Sequence, residues 1–322
     1  MDRRSFLGAA VAGAAAVVTP GCSRGRSDEP APSFAAKLAT GNADGVYDKY
    51  GKGLAKLVSE VTGTELSTIR TDGSVENLKL LGQNGGADLA FSLADSAADA
   101  YEGRAGFLKT GVIPMRALAR THDNYVHVIV PLKSEIESLP QLVGKRVNIG
   151  SLNSGTLVVA TRLLSMSGIK STEYIPSHLD LKAATVALRT DKIDALIWSG
   201  GLPTDPITDL QSQLGFKLID IGPQATKVAS RRIGNYVLTQ IPPSVYGTSS
   251  SVNTLSVPNY LLCRFGLPDP WAWWTVNTLF RRQADLTKFH VEAGSLDPRS
   301  AIATMPVPLH PAAERWYRAN HT

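Results

Sequence analysis

From residue 34 onward, short apolar runs alternate with segments whose apolar residues recur at three- and four-residue spacing. A strand is expected over 34–40 and a turn-rich loop over 41–45. A helix follows, with Val46, Tyr47, Tyr50, Leu54, Leu57, Val58 and Val61 on one face. A strand over 64–70, the turn Thr71-Asp72-Gly73, a helix capped by Ser74 and carrying Leu78 and Leu81, and a strand over 87–92 repeat the unit. Strands joined through helices run parallel, with the helices packed on the faces of the sheet, so the pattern predicts an α/β fold.

The unit recurs further along. Residues 126–130 form a strong strand that stops at Pro131, and Leu139, Leu142 and Val143 mark a short helix before a strand over 146–149. A small-residue loop over 151–156 leads into a helix over 157–166, and strands are expected again at 174–175, 195–198 and 217–221. After Pro242-Pro243, a strand over 254–263 precedes a helix through Trp271, Trp274, Leu279 and Phe280, and an amphipathic helix over 310–318 ends the chain. With 322 residues, 43% hydrophobic and 19% charged, there is enough chain and apolar surface for two domains of about 150 residues each. The expected organisation is one lobe from 34–129 with 253–322 and a second from 130–252. The strands at 126–130 and 254–263 cross between the lobes, which leaves a ligand cleft between them.

Lys plus Arg at 33 against Asp plus Glu at 28 gives 33 − 28 = +5, but no basic run exceeds two residues, which argues against nucleic acid as a partner. His122 and His127 sit five apart, no H-E-x-x-H occurs, and two cysteines cannot build a Cys-rich zinc site, so no metal is expected. Gly41, Gly45 and Gly51 do not make G-x-G-x-x-G, and neither a P-loop nor G-x-S-x-G is present, so no cofactor is expected either. Cys263 lies in the apolar stretch Tyr260-Leu261-Leu262 and reads as a small hydrophobe. Asp95 with Asp99 and Asp191 with Asp194 read as solvated helix faces or turns, and His290 and His310 as packing or capping groups.

Three strand-to-helix loops share a composition rich in Gly, Ser, Asn and Asp: 41–47, 73–77 and 151–156. Such loops lie at the strand C-termini, where helix N–H groups favour anions. Each loop alone reads equally as helix capping. Together they nominate Tyr47, Ser74, Asn77, Asn153, Ser154, Gly155 and Thr156 for polar contacts with a small anion, and Asp44 and Asp95 for an ammonium group. Trp198, at the end of a strand before Ser199-Gly200-Gly201, is placed to wall a pocket.

The first residues read differently. Asp2-Arg3-Arg4-Ser5-Phe6-Leu7 followed by an Ala/Gly/Val run to Val18 resembles a twin-arginine export signal, too short to anchor a bilayer of about 30 Å. Thr19-Pro20-Gly21-Cys22 resembles a lipobox, with Thr19 where Leu is preferred, so 1–21 is expected to be removed, Cys22 lipidated, and 22–33 left as a flexible tether.

The ordered loops resemble the TAXI-type solute receptors of tripartite ATP-independent periplasmic (TRAP) transporters over nearly all of 36–318. Gly41, Gly45 and Tyr47 match the opening G-x-x-x-G-x-Y, residues 73–81 match G-S-x-x-N-L-x-L-L, and Ser154-Gly155-Thr156 match S-G-T. Asp191-Lys192-Ile193-Asp194-Ala195, Gly201-Leu202-Pro203-Thr204 and Val307-Pro308-Leu309-His310-Pro311 are similar as well. Leu93 stands where the family commonly has Gln, which removes one polar contact. The resemblance implies a two-lobed type II periplasmic-binding-protein fold and no catalysis. It further implies a dicarboxylate or glutamate-like solute held between the lobes and membrane permease subunits as partners, while the export signal and lipobox imply an extracytoplasmic location with a lipid anchor in the membrane. The rival readings are an extracytoplasmic enzyme on the same fold, which would call for a metal or nucleophile motif, and a receptor that feeds a sensor.

Overall fold

The computed structural model describes residues 29–231 and 235–320; the expected signal segment, Cys22 and the tether as far as residue 28 lie outside the described residues. Strands β1 (Ala36–Ala39), β2 (Leu66–Ile69) and β3 (Leu89–Leu93) lie parallel, with β1 between the other two. Helices α1 (Val46–Thr62) and α2 (Ser74–Leu81) make the crossovers. Helix α1 buries the expected face through Tyr50, Leu54, Leu57 and Val58 and ends at Gly63, whose φ of 70° suits a residue without Cβ. Ser74 is not the cap of α2, as expected, but its first residue. The cap is Gly73, and the Ser74 hydroxyl instead accepts the Leu93 N–H at 3.0 Å, which ties α2 to the end of β3. Helix α3 (Ala94–Tyr101) follows directly.

The chain then runs β4 (Met115–Pro131), β5 (Arg146–Asn148), α4 (Gly155–Met166), β6 (Ile175–Ser177), α5 (Leu181–Arg189) and β7 (Ala195–Gly200). It continues through α6 (Asp205–Gln213), β8 (Phe216–Leu218), α7 (Gly222–Arg231), β9 (Val237–Ile241) and β10 (Val252–Arg264). The sheet order is β2-β1-β3-β10-β4-β7-β5-β6, with β8 added to β4 and β9 to β10. Strands β4 and β10 are long and antiparallel. The first half of β4 runs beside β10 next to β3, while its second half pairs with β7 and β8. These are the strands expected to cross, and both continue through both halves of the sheet.

Strand β4 is longer than expected because Thr121, His122, Asp123 and Asn124 stay in it. The Asn259 amide of β10 donates to the His122 carbonyl and to Asn124 Oδ1, each at 3.0 Å, so that carbonyl and the Asn124 side chain are satisfied inside the sheet. Strand β9 is the converse case. Val237 and Leu238 are exposed, and its pairing with β10 is carried by backbone, so no apolar periodicity marks it.

The core falls into patches on either side of the long strands. One set gathers α1 and β1 to β3 with Trp271, Trp316 and Tyr317 from the C-terminal helices, while another gathers α4 to α7 with β5, β7 and the second half of β4. Cys263 is buried in the first set. Among the described residues no helix is long and apolar enough to cross a membrane.

Candidate functional site

The three small-residue loops meet. Gly41, Gly45 and Tyr47 from the first, Gly73 and Ser74 from the second and Ser154, Gly155 and Thr156 from the third line one cavity of about 50 Å³ between the two halves of the sheet. Close approach is built into the sequence. A Cβ on Gly155 would lie 2.6 Å from both Leu93 Cδ1 and Ser74 Oγ on the facing wall, so a larger residue there would have to push these side chains back. Trp198 also lines the cavity, and a Cβ on Gly200 would lie 2.2 Å from its Nε1.

Helices α1, α2 and α4 begin at this cavity. The caps of α1 and α2 are Gly45 and Gly73, which offer no side-chain acceptor, whereas the Ser154 hydroxyl caps α4 by accepting the Leu157 N–H at 3.1 Å. The first N–H groups of a helix have no partner within it and carry the positive end of its dipole. The cavity therefore faces three partly positive backbone ends. Thr156 Oγ1 accepts the Ser199 N–H at 3.3 Å, which leaves its own proton to donate. Tyr47 stacks on Phe91 at 5.2 Å and its hydroxyl donates to Asn259 Oδ1; burial raises its pKa, so it remains a neutral phenol.

Several lining residues escaped the sequence. Ser199, Asn124 and Asp72 border the cavity. Ser199 is 5% exposed, and its hydroxyl has no hydrogen-bond partner, nor has the buried Trp198 Nε1. Asn124 is held by donating to the Ser199 carbonyl at 3.1 Å. Ser199 follows the tryptophan that drew notice, and an unpaired hydroxyl is visible only once the surrounding strands are in place.

Four expected contacts are engaged away from the cavity. Asn77 is spent on the fold: its amide donates to the carbonyls of Thr40 (2.6 Å) and Phe91 (2.8 Å) and its oxygen accepts from Thr71 (2.6 Å). Asp95 is fully buried in an ion pair with Arg162 of α4, which also grips Asp99, and Tyr236 donates to Asp95 at 2.6 Å. The solvated face expected for Asp95 and Asp99 is thus corrected to a buried cluster, since the compensating charge arrives from the other half of the sheet. Burial opposes the Arg162 charge, but Asp95 and Tyr236 together keep its pKa raised. Asp44 pairs with Lys182 at the rim, which holds its pKa below the usual carboxylate range, and Asn153 accepts Lys79 Nζ at 2.9 Å while its carbonyl accepts the Glu76 N–H at 3.1 Å.

Most of these contacts join the two sides, as do Lys49 with Asp205 and Glu292 with the Leu202 N–H at 2.6 Å. The cleft is closed. Burial pushes Glu292 up to about 7, against the Leu202 N–H that favours the anion. Among the described residues no group of three or more His, Cys, Asp or Glu is placed to hold a metal ion. His290 and His310 cap through Nδ1, accepting the Glu292 and Ala312 N–H groups at 3.2 and 3.1 Å.

The sequence pattern of the NMT1-like family matches residues 38–320. Among solved structures, MatC from Rhodopseudomonas palustris with bound malate is similar at a TM-score of 0.58 and 11% identity, over 89% of this chain and 99% of that one. The binding-protein component of an ABC phosphonate transporter from Pseudomonas aeruginosa is similar at 0.54 and 11%, over 81% of this chain and 79% of that one. The shared feature is the fold, a mixed α/β periplasmic-binding-protein architecture.

Proposed function

We propose that this chain, which belongs to the NMT1-like family, is an extracytoplasmic solute receptor that closes around a small organic anion or amino acid and passes it to a membrane transporter. The observation that carries the reading is the convergence of three helix N-termini and an unpartnered buried hydroxyl on one cavity between the halves of the sheet. Phosphonate transport and malate, named for the two similar structures, are anion chemistry of the same kind. Residues 34–129 with 253–322 make one lobe and 130–252 the other, hinged where β4 and β10 cross, and closure of this type shields a ligand from water. The protein catalyses nothing. The transporter is of the TRAP type and the receptor of the TAXI type, on the motifs at Gly73, Ser154 and Asp191; Arg3-Arg4 directs export and Cys22 carries the lipid.

A thermal-shift screen of carboxylates and amino acids tests the receptor, since a ligand that binds only the folded state raises the melting temperature by mass action. X-ray scattering should show a smaller radius of gyration with the hit bound. A screen without any stabilising acid, or tight binding without compaction, overturns the reading. Mass spectrometry of the membrane fraction should find a diacylglyceryl cysteine at Cys22, and an intact Met1 on cytoplasmic protein refutes the location.

A further inference from the structure

We infer that the cavity takes a ligand with a single carboxylate and rejects the homologue that carries a second one. The inference rests on the small-acid receptor reading and narrows it. Among the described residues lining the cavity there is no lysine, arginine or histidine. What the walls offer an anion is neutral: the N-terminal ends of α1, α2 and α4, and the hydroxyl of Ser199, which is 5% exposed and unpartnered. Such donors suit one carboxylate well.

A second carboxylate would find no counterpart. Among the described residues Asp72 is the one carboxylate on the lining, half-buried, and no described group makes a hydrogen bond or ion pair with its side chain. The wall opposite Gly155 is Leu93. Lys182, Lys49 and Lys79 do not line the cavity; the first two are paired with Asp44 and Asp205, and the third donates to the neutral Asn153 amide. A dianion would therefore bury one charge unpaired beside a like charge, so that lost solvation and repulsion by Asp72 both select against it.

Matched pairs test this on the whole protein by titration calorimetry. L-lactate against L-malate and L-alanine against L-aspartate each differ by one carboxylate in place of a hydrogen, and a wider panel of such pairs extends the set. The expected result is that the single acid of a pair binds about tenfold or more tighter than its dicarboxylate. Asp72→Asn, which keeps the shape and removes the charge, should shrink that ratio at least about threefold, through the dicarboxylate. A dicarboxylate that binds as well as or better than its partner in the unmodified protein overturns the inference while leaving the receptor reading intact. So does a ratio that Asp72→Asn leaves unchanged. Silence from every member of the panel, in either variant, refutes the small-acid reading itself and the inference with it.

Discussion

Replacing Ser199 by Ala separates a ligand-binding hydroxyl from a structural one, because in the protein as it stands that hydroxyl makes no hydrogen bond. A hydroxyl buried without a partner carries a desolvation cost of about 1–3 kcal/mol. At 5% exposure little of it is relieved by solvent. Removing it should raise the stability of the unliganded protein by about 1 kcal/mol, or about 1–2 °C in melting temperature for a chain of this size. Binding should move the other way. A hydrogen bond from this hydroxyl to a carboxylate contributes about 1.5–3 kcal/mol, so its loss weakens affinity about tenfold to a hundredfold. Calorimetric melting and titration with the strongest acid from the screen read both quantities on one preparation. Unchanged affinity in a stabilised variant refutes a ligand role for Ser199. Thr156→Val cannot make this separation, since Thr156 Oγ1 also satisfies the Ser199 N–H, so stability and affinity would fall together.

Arg162→Met should cost about 3–5 kcal/mol in urea unfolding, because it leaves Asp95 and Asp99 buried without their cation; a loss under about 1 kcal/mol would mean the cluster is screened by water. Glu292 is raised from 4.5 to about 7 in the folded protein, so its proton is held more tightly there than in the unfolded chain. Its contribution is therefore complete below about pH 4.5 and fades as pH rises through 7, a loss of about 2–3 kcal/mol after allowance for its partial exposure. Glu292→Gln keeps an acceptor for the Leu202 N–H and should flatten the fall in melting temperature between pH 5 and 8, and an unaltered pH profile refutes the assignment. Gly155→Ala places a methyl group 2.6 Å from Leu93 and Ser74, so it should wedge the cleft, enlarge the unliganded radius of gyration and weaken binding about tenfold or more, with calorimetry and scattering as the checks.

What the sequence makes legible here is local. The α1 face from Val46 to Val58 and the loops at 41–47, 73–77 and 151–156 follow from spacing and residue type within a few positions, and the structure brings those loops to one cavity. What it hides is whatever depends on a partner from the other half of the sheet. Asp95 and Asp99 look solvated because Arg162 is more than sixty residues away, and Asp44 looks free because Lys182 belongs to α5. Asn77 is engaged for a related reason, since the carbonyls it satisfies, at Thr40 just after β1 and at Phe91 in β3, are ones that sequence spacing cannot bring together. The residues that spacing misjudges most, Asp44, Asp95 and Asn153, all bond across the cleft. That coincidence has a physical cause. A group that bonds across a cleft must be polar and uncommitted within its own half, and that is also the signature of a ligand contact. Loop composition alone therefore cannot tell closure from binding. The test that can is whether the group remains unpartnered when the cleft is shut, and among the described residues that line the cavity the Ser199 hydroxyl and Trp198 Nε1 meet it.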